Sequence, residues 1–162
     1  MAEWVNVTAV LEKYGNQLVD KYKSNLRASG RVATGNLINS IHKEINKDGW
    51  SIELDLDLAK YFEQTEWGRG PTKNGGGGEL KARILDWIVA KKIVPRPDSN
   101  GRVPTPEGLA YVIARKIHNE GYDGKPDLTN AYESIEQQML SELDAAIDAD
   151  IEDEFTLILQ GL

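Results

Sequence analysis

Leu11, Tyr14, Leu18, Tyr22 and Leu26 recur at helical spacing, which predicts an amphipathic helix from about Thr8 to Ala28. Gly15 sits inside that pattern at a local cost of about 1 kcal/mol relative to Ala, and Ser29-Gly30 reads as the stop. Thr34 caps a short turn that carries Leu37 and Ile41. Trp50, Ile52, Leu54, Leu56 and Leu58 then alternate with polar residues, as a half-buried strand does. Asn46-Lys47-Asp48-Gly49 ahead of them has hairpin turn chemistry, so Ile41 to Ile45 is the expected partner strand.

Six of the eleven residues from Gly68 to Gly78 are glycine, which predicts a mobile loop that includes Gly70, Gly75, Gly76, Gly77 and Gly78. Leu80, Ile84, Trp87 and Ile88, extending toward Lys91, mark a second helix with Trp87 expected in the core. Pro95, Pro97 and Pro104 punctuate a loop. Thr105-Pro106-Glu107 then reads as an N-cap followed by proline at the first helical position. That helix carries Leu109, Val112, Ile113 and Ile117, and Gly121 fits a left-handed C-terminal cap.

Asp123-Gly124-Lys125-Pro126 is a turn, and Leu128 to about Ala149 forms a fourth helix through Ile135, Met139, Leu143 and Ile147. Phe155, Leu157 and Leu159 alternate with their neighbours and suggest a terminal strand. The expected fold class is α+β, with about four helices packed on a small antiparallel β-sheet in one domain spanning residues 1–162.

Composition narrows the classes of function. Forty per cent apolar residues with four Trp and six Tyr favour a packed core over disorder. Cysteine is absent, which removes disulfides and thiolate metal sites. No apolar run approaches the ~18 residues a bilayer demands, and Met-Ala-Glu-Trp does not resemble a signal peptide. A soluble protein retained in the cytoplasm is therefore expected.

Charge is concentrated at one end. Glu142, Asp144, Asp148, Asp150, Glu152, Asp153 and Glu154 run without an intervening base. The chain has 26 acids and 19 bases, so those seven acids account for the whole net charge of −7. Nucleic-acid binding requires concentrated Lys and Arg where the phosphates lie, so sequence-specific binding to nucleic acid is not expected. The segment from 142 to 162 reads as a solvated helix end, or as an acidic surface carrying Asp148, Asp150, Glu152, Asp153 and Glu154.

Reactive constellations are hard to assemble from these residues. His42 and His118 have no partner at metal-ligand spacing. The glycine-rich stretch lacks the Gly-Lys-Ser/Thr ending of a phosphate-binding loop. Pro97-Asp98 with Asp123-Gly124-Lys125 matches the bare spacing of a metal-dependent nuclease, but both pieces fall in predicted turns separated by a helix. A calcium loop starting at Asp148 would have Asp153 where Gly is required and Leu159 where Glu is required. Serine-hydrolase, cysteine-protease and zincin motifs are absent. No catalytic, metal-binding or cofactor-binding residue is expected.

Four short patterns, in order, carry a resemblance. They are Thr34-Gly35-Asn36-Leu37 with Ser40; Tyr61-Phe62-Glu63 with Trp67-Gly68; the helix of Ile84, Trp87 and Ile88; and Ala114-Arg115-Lys116-Ile117 running to Gly121. In this order the chain resembles the HK97 gp10-like family of phage tail-completion and neck proteins, over about Leu11 to Tyr132. The spacing from Tyr61 to Gly68 is longer than the family's usual pattern, and the acidic C-terminal residues fall outside it. The resemblance implies a non-enzymatic virion protein of a tailed bacteriophage that waits in the host cytoplasm before assembly. It would oligomerise as a homomeric ring between the head connector and the tail proteins, with DNA passing through the ring and no membrane involved. Two other expectations stand beside it. One is a metal-dependent nuclease or other DNA-processing enzyme using Asp98, Asp123 and Lys125; the other is an acidic regulatory module that binds a basic protein.

Overall fold

The computed structural model describes residues 4–32, 34–48, 51–58, 62–72 and 78–160. In chain order they form α1 (Val5–Ala28), α2 (Asn36–Ser40), β1 (His42–Asp48), β2 (Ser51–Asp57), α3 (Phe62–Trp67), β3 (Gly68–Arg69), α4 (Glu79–Ala90), α5 (Pro106–Glu120), β4 (Tyr122–Asp123) and α6 (Asp127–Gln160). This overturns the expectation of four helices on a sheet. Among the described residues there are six helices, and the strands form two separate two-stranded ribbons, β1–β2 and β3–β4.

The largest correction concerns the C-terminus. Phe155, Leu157 and Leu159 are not in a strand, because α6 continues unbroken for 34 residues to Gln160. Nothing from Asp127 to Gln160 is Gly or Pro, so no breaker ends the helix. Ile158 also spoils the alternation, whereas Ile151, Phe155 and Ile158 fall at i, i+4 and i+7.

The chain gathers into two compact units. One comprises Met1–Ser29, Leu37–Ala59 and Asp127–Leu162; the other comprises Gly30–Asn36 and Lys60–Pro126. In the first, α1 packs along α6 and against the β1–β2 hairpin. Its buried stripe is Val7, Tyr14, Leu18, Tyr22 and Leu26, close to the periodicity of the sequence, and Gly15 is buried within it. From α6 come Ala131, Ile135 and Ala146, while Ile38 and Ile41 are also buried. The hairpin is antiparallel, pairing His42 with Asp57 through Asp48 with Ser51. Asn46, Lys47 and Asp48 therefore belong to a strand rather than to the expected turn, and Trp50 lies outside the described residues.

In the second unit, Ile84 and Ile88 of α4 meet Ala110 and Ala114 of α5, flanked by Leu80, Leu85, Leu109, Ile113 and Ile117. The two alanines let the helix backbones approach closely. Trp87 corrects the sequence reading: it is 41% exposed, because it stands roughly 100° around α4 from Ile88. Val112, also expected in the core, is exposed. Thr105 caps α5 as expected, its hydroxyl accepting the Gly108 N–H at 3.2 Å, with Pro106 beginning the helix.

Gly68 and Arg69, expected in the mobile loop, pair as β3 with Asp123 and Tyr122 of β4. Asp123 is thus in a short strand rather than the expected turn. Gly75, Gly76 and Gly77 lie outside the described residues.

Candidate functional site

The family-motif residues shape the backbone. Gly35 has φ +81°, and the Thr34 hydroxyl reaches the Asn36 N–H at 3.5 Å as α2 begins. The Ser40 hydroxyl donates to the Leu37 carbonyl at 2.9 Å and closes the same short helix. Gly68 and Gly121 hold the crossing of β3 and β4. A Cβ on Gly68 would stand 2.3 Å from the Tyr122 carbonyl oxygen, and one on Gly121 would stand 2.2 Å from that of Arg69. Gly124 is equally confined, with the Glu66 carbonyl oxygen 2.2 Å from its hypothetical Cβ. All three approaches are to main chain, which cannot move aside as a side chain would.

Gly121 has φ +75° with ψ −163°, so it is a positive-φ residue in extended backbone and not the left-handed cap expected. The Lys125 N–H donates to the Thr65 carbonyl at 3.0 Å, and the Arg31 guanidinium donates to that same oxygen. Ala114 is buried and Ile117 half-buried against α4, whereas Glu63 is exposed and Tyr61 lies outside the described residues. In the glycine-rich stretch, Gly70 is exposed with open space around it, and Gly78 precedes α4 with φ +86°.

Of the three nuclease residues, Asp98 has a structural task. Asp98 Oδ1 accepts the N–H groups of Asn100, at 2.8 Å, and Arg102, at 2.9 Å, which builds a polar turn. Asp123 lies in β4, and the Lys125 N–H is tied to Thr65. Among the described residues, no three His, Asp or Glu side chains form a group that could hold a metal ion. His118 Nδ1 is 2.6 Å from the Thr72 hydroxyl, and the Thr72 N–H donates to the His118 carbonyl at 2.8 Å, so this histidine secures the end of α5.

The acidic segment is not the uniformly solvated surface expected. Asp150 is only 6% exposed. Its carboxylate accepts the N–H groups of Asn6 and Val7 and the Asn6 side-chain amide, each at 2.9 Å. The first turn of α1 has no side-chain cap of its own, since Trp4 occupies the cap position. Asp150 thus supplies from α6 the negative charge that a helix N-terminus attracts. Burial pushes its carboxyl pKa up, but hydrogen bonds from Val7, Asn6 and Val5 outweigh that and hold it below the ordinary value.

Two further ties follow along the same helix pair. Glu142 accepts from Lys13 Nζ at 2.5 Å and from the Tyr14 hydroxyl at 2.8 Å, and these two bonds lower its pKa. At the other end, the Ser29 hydroxyl donates to buried Asp127 at 2.9 Å, and the Asn25 amide donates to the Asp127 carbonyl. Asn6 with Asp150, Tyr14 with Glu142 and Ser29 with Asp127 have residue numbers adding to the same total. The antiparallel helices therefore keep one register throughout. Charge runs do not reveal such ties, because only the tertiary pairing selects which acids turn inward.

Past Asp150, α6 outruns α1. Trp4, Asp150, Ile151, Glu154, Phe155 and Ile158 line an open groove of roughly 190 Å³. Large apolar side chains stay in solvent along this arm: Phe155 is 64% exposed and Leu159 71%, with Ile151, Leu157 and Ile158 also exposed. Asp148, Glu152 and Asp153 are exposed beside them, and Glu154 is half-buried.

No family model, curated protein or solved structure matches this chain. No helix among the described residues is long and apolar enough to cross a membrane.

Proposed function

We propose that this chain is a non-enzymatic structural protein of a tailed bacteriophage, a tail-completion or head–tail joining component that forms a ring between head connector and tail. The exposed apolar arm of α6 carries the reading. Protein surfaces tolerate scattered apolar residues, but a contiguous patch signals a surface that is covered in use. Ile151, Phe155 and Ile158 lie on one helical stripe with Leu159 beside them, at the end of a helix whose other end is clamped to α1. A rigid base with an uncovered apolar extension suits a subunit that is completed by its neighbours.

The motif residues support the same reading. Gly35, Gly68 and Gly121 satisfy backbone requirements, and Ala114 and Ile117 satisfy packing, so the residues carrying the resemblance specify a scaffold. The candidate catalytic acids act in turns and strand ends, and the acidic run is partly spent on capping α1.

The test is genetic and biochemical. A nonsense mutation in this gene of the parent phage should leave filled heads and separate tails that do not join, and mass spectrometry of wild-type particles should find several copies of the chain. Joined, infectious particles lacking it would overturn the proposal.

A further inference from the structure

The two compact units differ in charge as well as in fold. Residues 30–36 and 60–126 contain thirteen bases and eight acids, for a net +5. The remaining residues contain six bases and eighteen acids, for a net −12, and the two values together give the −7 of the whole chain. The acidic unit bears the exposed arm of α6. The basic unit has its own exposed apolar face, on the outer side of α5. There Tyr111 is 55% and Val112 61% exposed, with exposed Arg115 and Lys116 one helical turn further on.

We propose that the α6 arm of one copy seats on this outer face of α5 in a second copy. Ile151, Phe155 and Ile158 present anchors at the i, i+4, i+7 spacing by which a helix beds into an apolar surface. Asp148 and Glu152, exposed along one flank of that stripe, carry the charge that complements Arg115 and Lys116; the pair of Lys116 with Glu120, at 3.7 Å, is exposed and easily exchanged. Charge also selects against the simplest alternative. Two arms laid stripe to stripe would bring Asp148, Glu152 and Glu154 close to their own copies, and like charges repel. The arm and the α5 face are different surfaces, so the contact is heterologous and can pass from copy to copy. The inference rests on the ring reading and supplies its contact.

Sedimentation velocity of the full chain tests it. The wild type should associate with rising concentration, and raising salt from about 50 to about 500 mM should weaken association several-fold. Phe155→Asp and Ile158→Asp, each made separately on the exposed arm, should weaken it at least about tenfold with helical circular dichroism intact. Arg115→Glu with Lys116→Glu should do the same, and adding Asp148→Lys with Glu152→Lys should restore association. A wild type monomeric at every concentration overturns the contact, as does one that is monomeric but binds a basic amphipathic peptide through the arm. Oligomers indifferent to all of these substitutions overturn the contact while leaving the ring reading intact. Absence of the chain from purified particles removes the ring reading and leaves the measured contact standing.

Discussion

The carboxylate of Asp150 caps the N-terminus of α1 from near the other end of the chain, its Oδ2 accepting the Val7 N–H at 2.9 Å. The residue at the cap position of α1, Trp4, makes no side-chain capping bond. A capping residue ordinarily lies next in sequence to the helix it caps; here it is 143 positions away. One carboxylate thus serves both as helix cap and as tertiary tether.

Asp150→Ala should consequently destabilise the protein by about 1–3 kcal/mol, since it strands buried N–H donors that water reaches poorly. Urea denaturation followed by circular dichroism would measure this. Glu152, two positions on, is exposed, so Glu152→Ala should leave the midpoint nearly unchanged and serves as the control.

Acid should loosen the α1–α6 pair. The carboxyl pKa values of Glu142 and Asp150 are both lower in the fold than the ordinary values of about 4. Folding then favours their ionised forms, so their contribution is complete above the unfolded pKa and disappears as pH falls through the folded one. Thermal midpoints measured from about pH 6 down to about pH 3 should decline, and the decline should be shallower in Asp150→Asn.

The glycine crossing predicts a graded series. Gly121→Ala and Gly68→Ala combine positive φ with collision against main chain, and each should destabilise by roughly 2–4 kcal/mol. Gly30→Ala has φ +70° but open space, so only the conformational penalty of about 1 kcal/mol should appear. Gly70→Ala has neither constraint and should be close to neutral. Equilibrium unfolding of the four variants would establish the order.

Thr105→Ala should cost about 1 kcal/mol and Thr105→Gly only a few tenths, because the lost interaction is the N-cap of α5. The same unfolding measurement checks both.

Magnesium should neither raise the thermal midpoint nor elicit DNA cleavage by purified protein, since Asp98 is engaged by Asn100 and Arg102 in its own turn. Metal-dependent cleavage abolished by Asp123→Asn would overturn this.

Local patterns were legible in the sequence where one residue type had one dominant role. The α1 stripe follows Tyr14, Leu18, Tyr22 and Leu26, and the Thr105-Pro106 start of α5 needs only adjacent residues. Elsewhere, a local pattern competed with a longer one. Phe155, Leu157 and Leu159 alternate over five residues, yet the helical repeat through Ile151, Phe155 and Ile158, with no breaker before it, prevails. Asn46-Lys47-Asp48 has turn chemistry, but pairing with Ser51, Ile52 and Glu53 extends the hairpin past it. Trp87 fits the apolar spacing of α4, but the buried line against Ala110 and Ala114 runs through Ile84 and Ile88, and Trp87 stands to one side of it. The inward roles of Asp127 and Asp150 depend on which helix α6 meets, and periodicity has no access to that.

The constant register of α1 against α6 makes their lengths interdependent. Deleting a turn between Tyr14 and Leu26 would pull Ser29 away from Asp127 unless α6 lost a matching turn between Asp127 and Glu142. Relatives of different size should therefore gain or lose turns in both helices together, whereas the arm beyond Asp150 is free to lengthen or shrink alone.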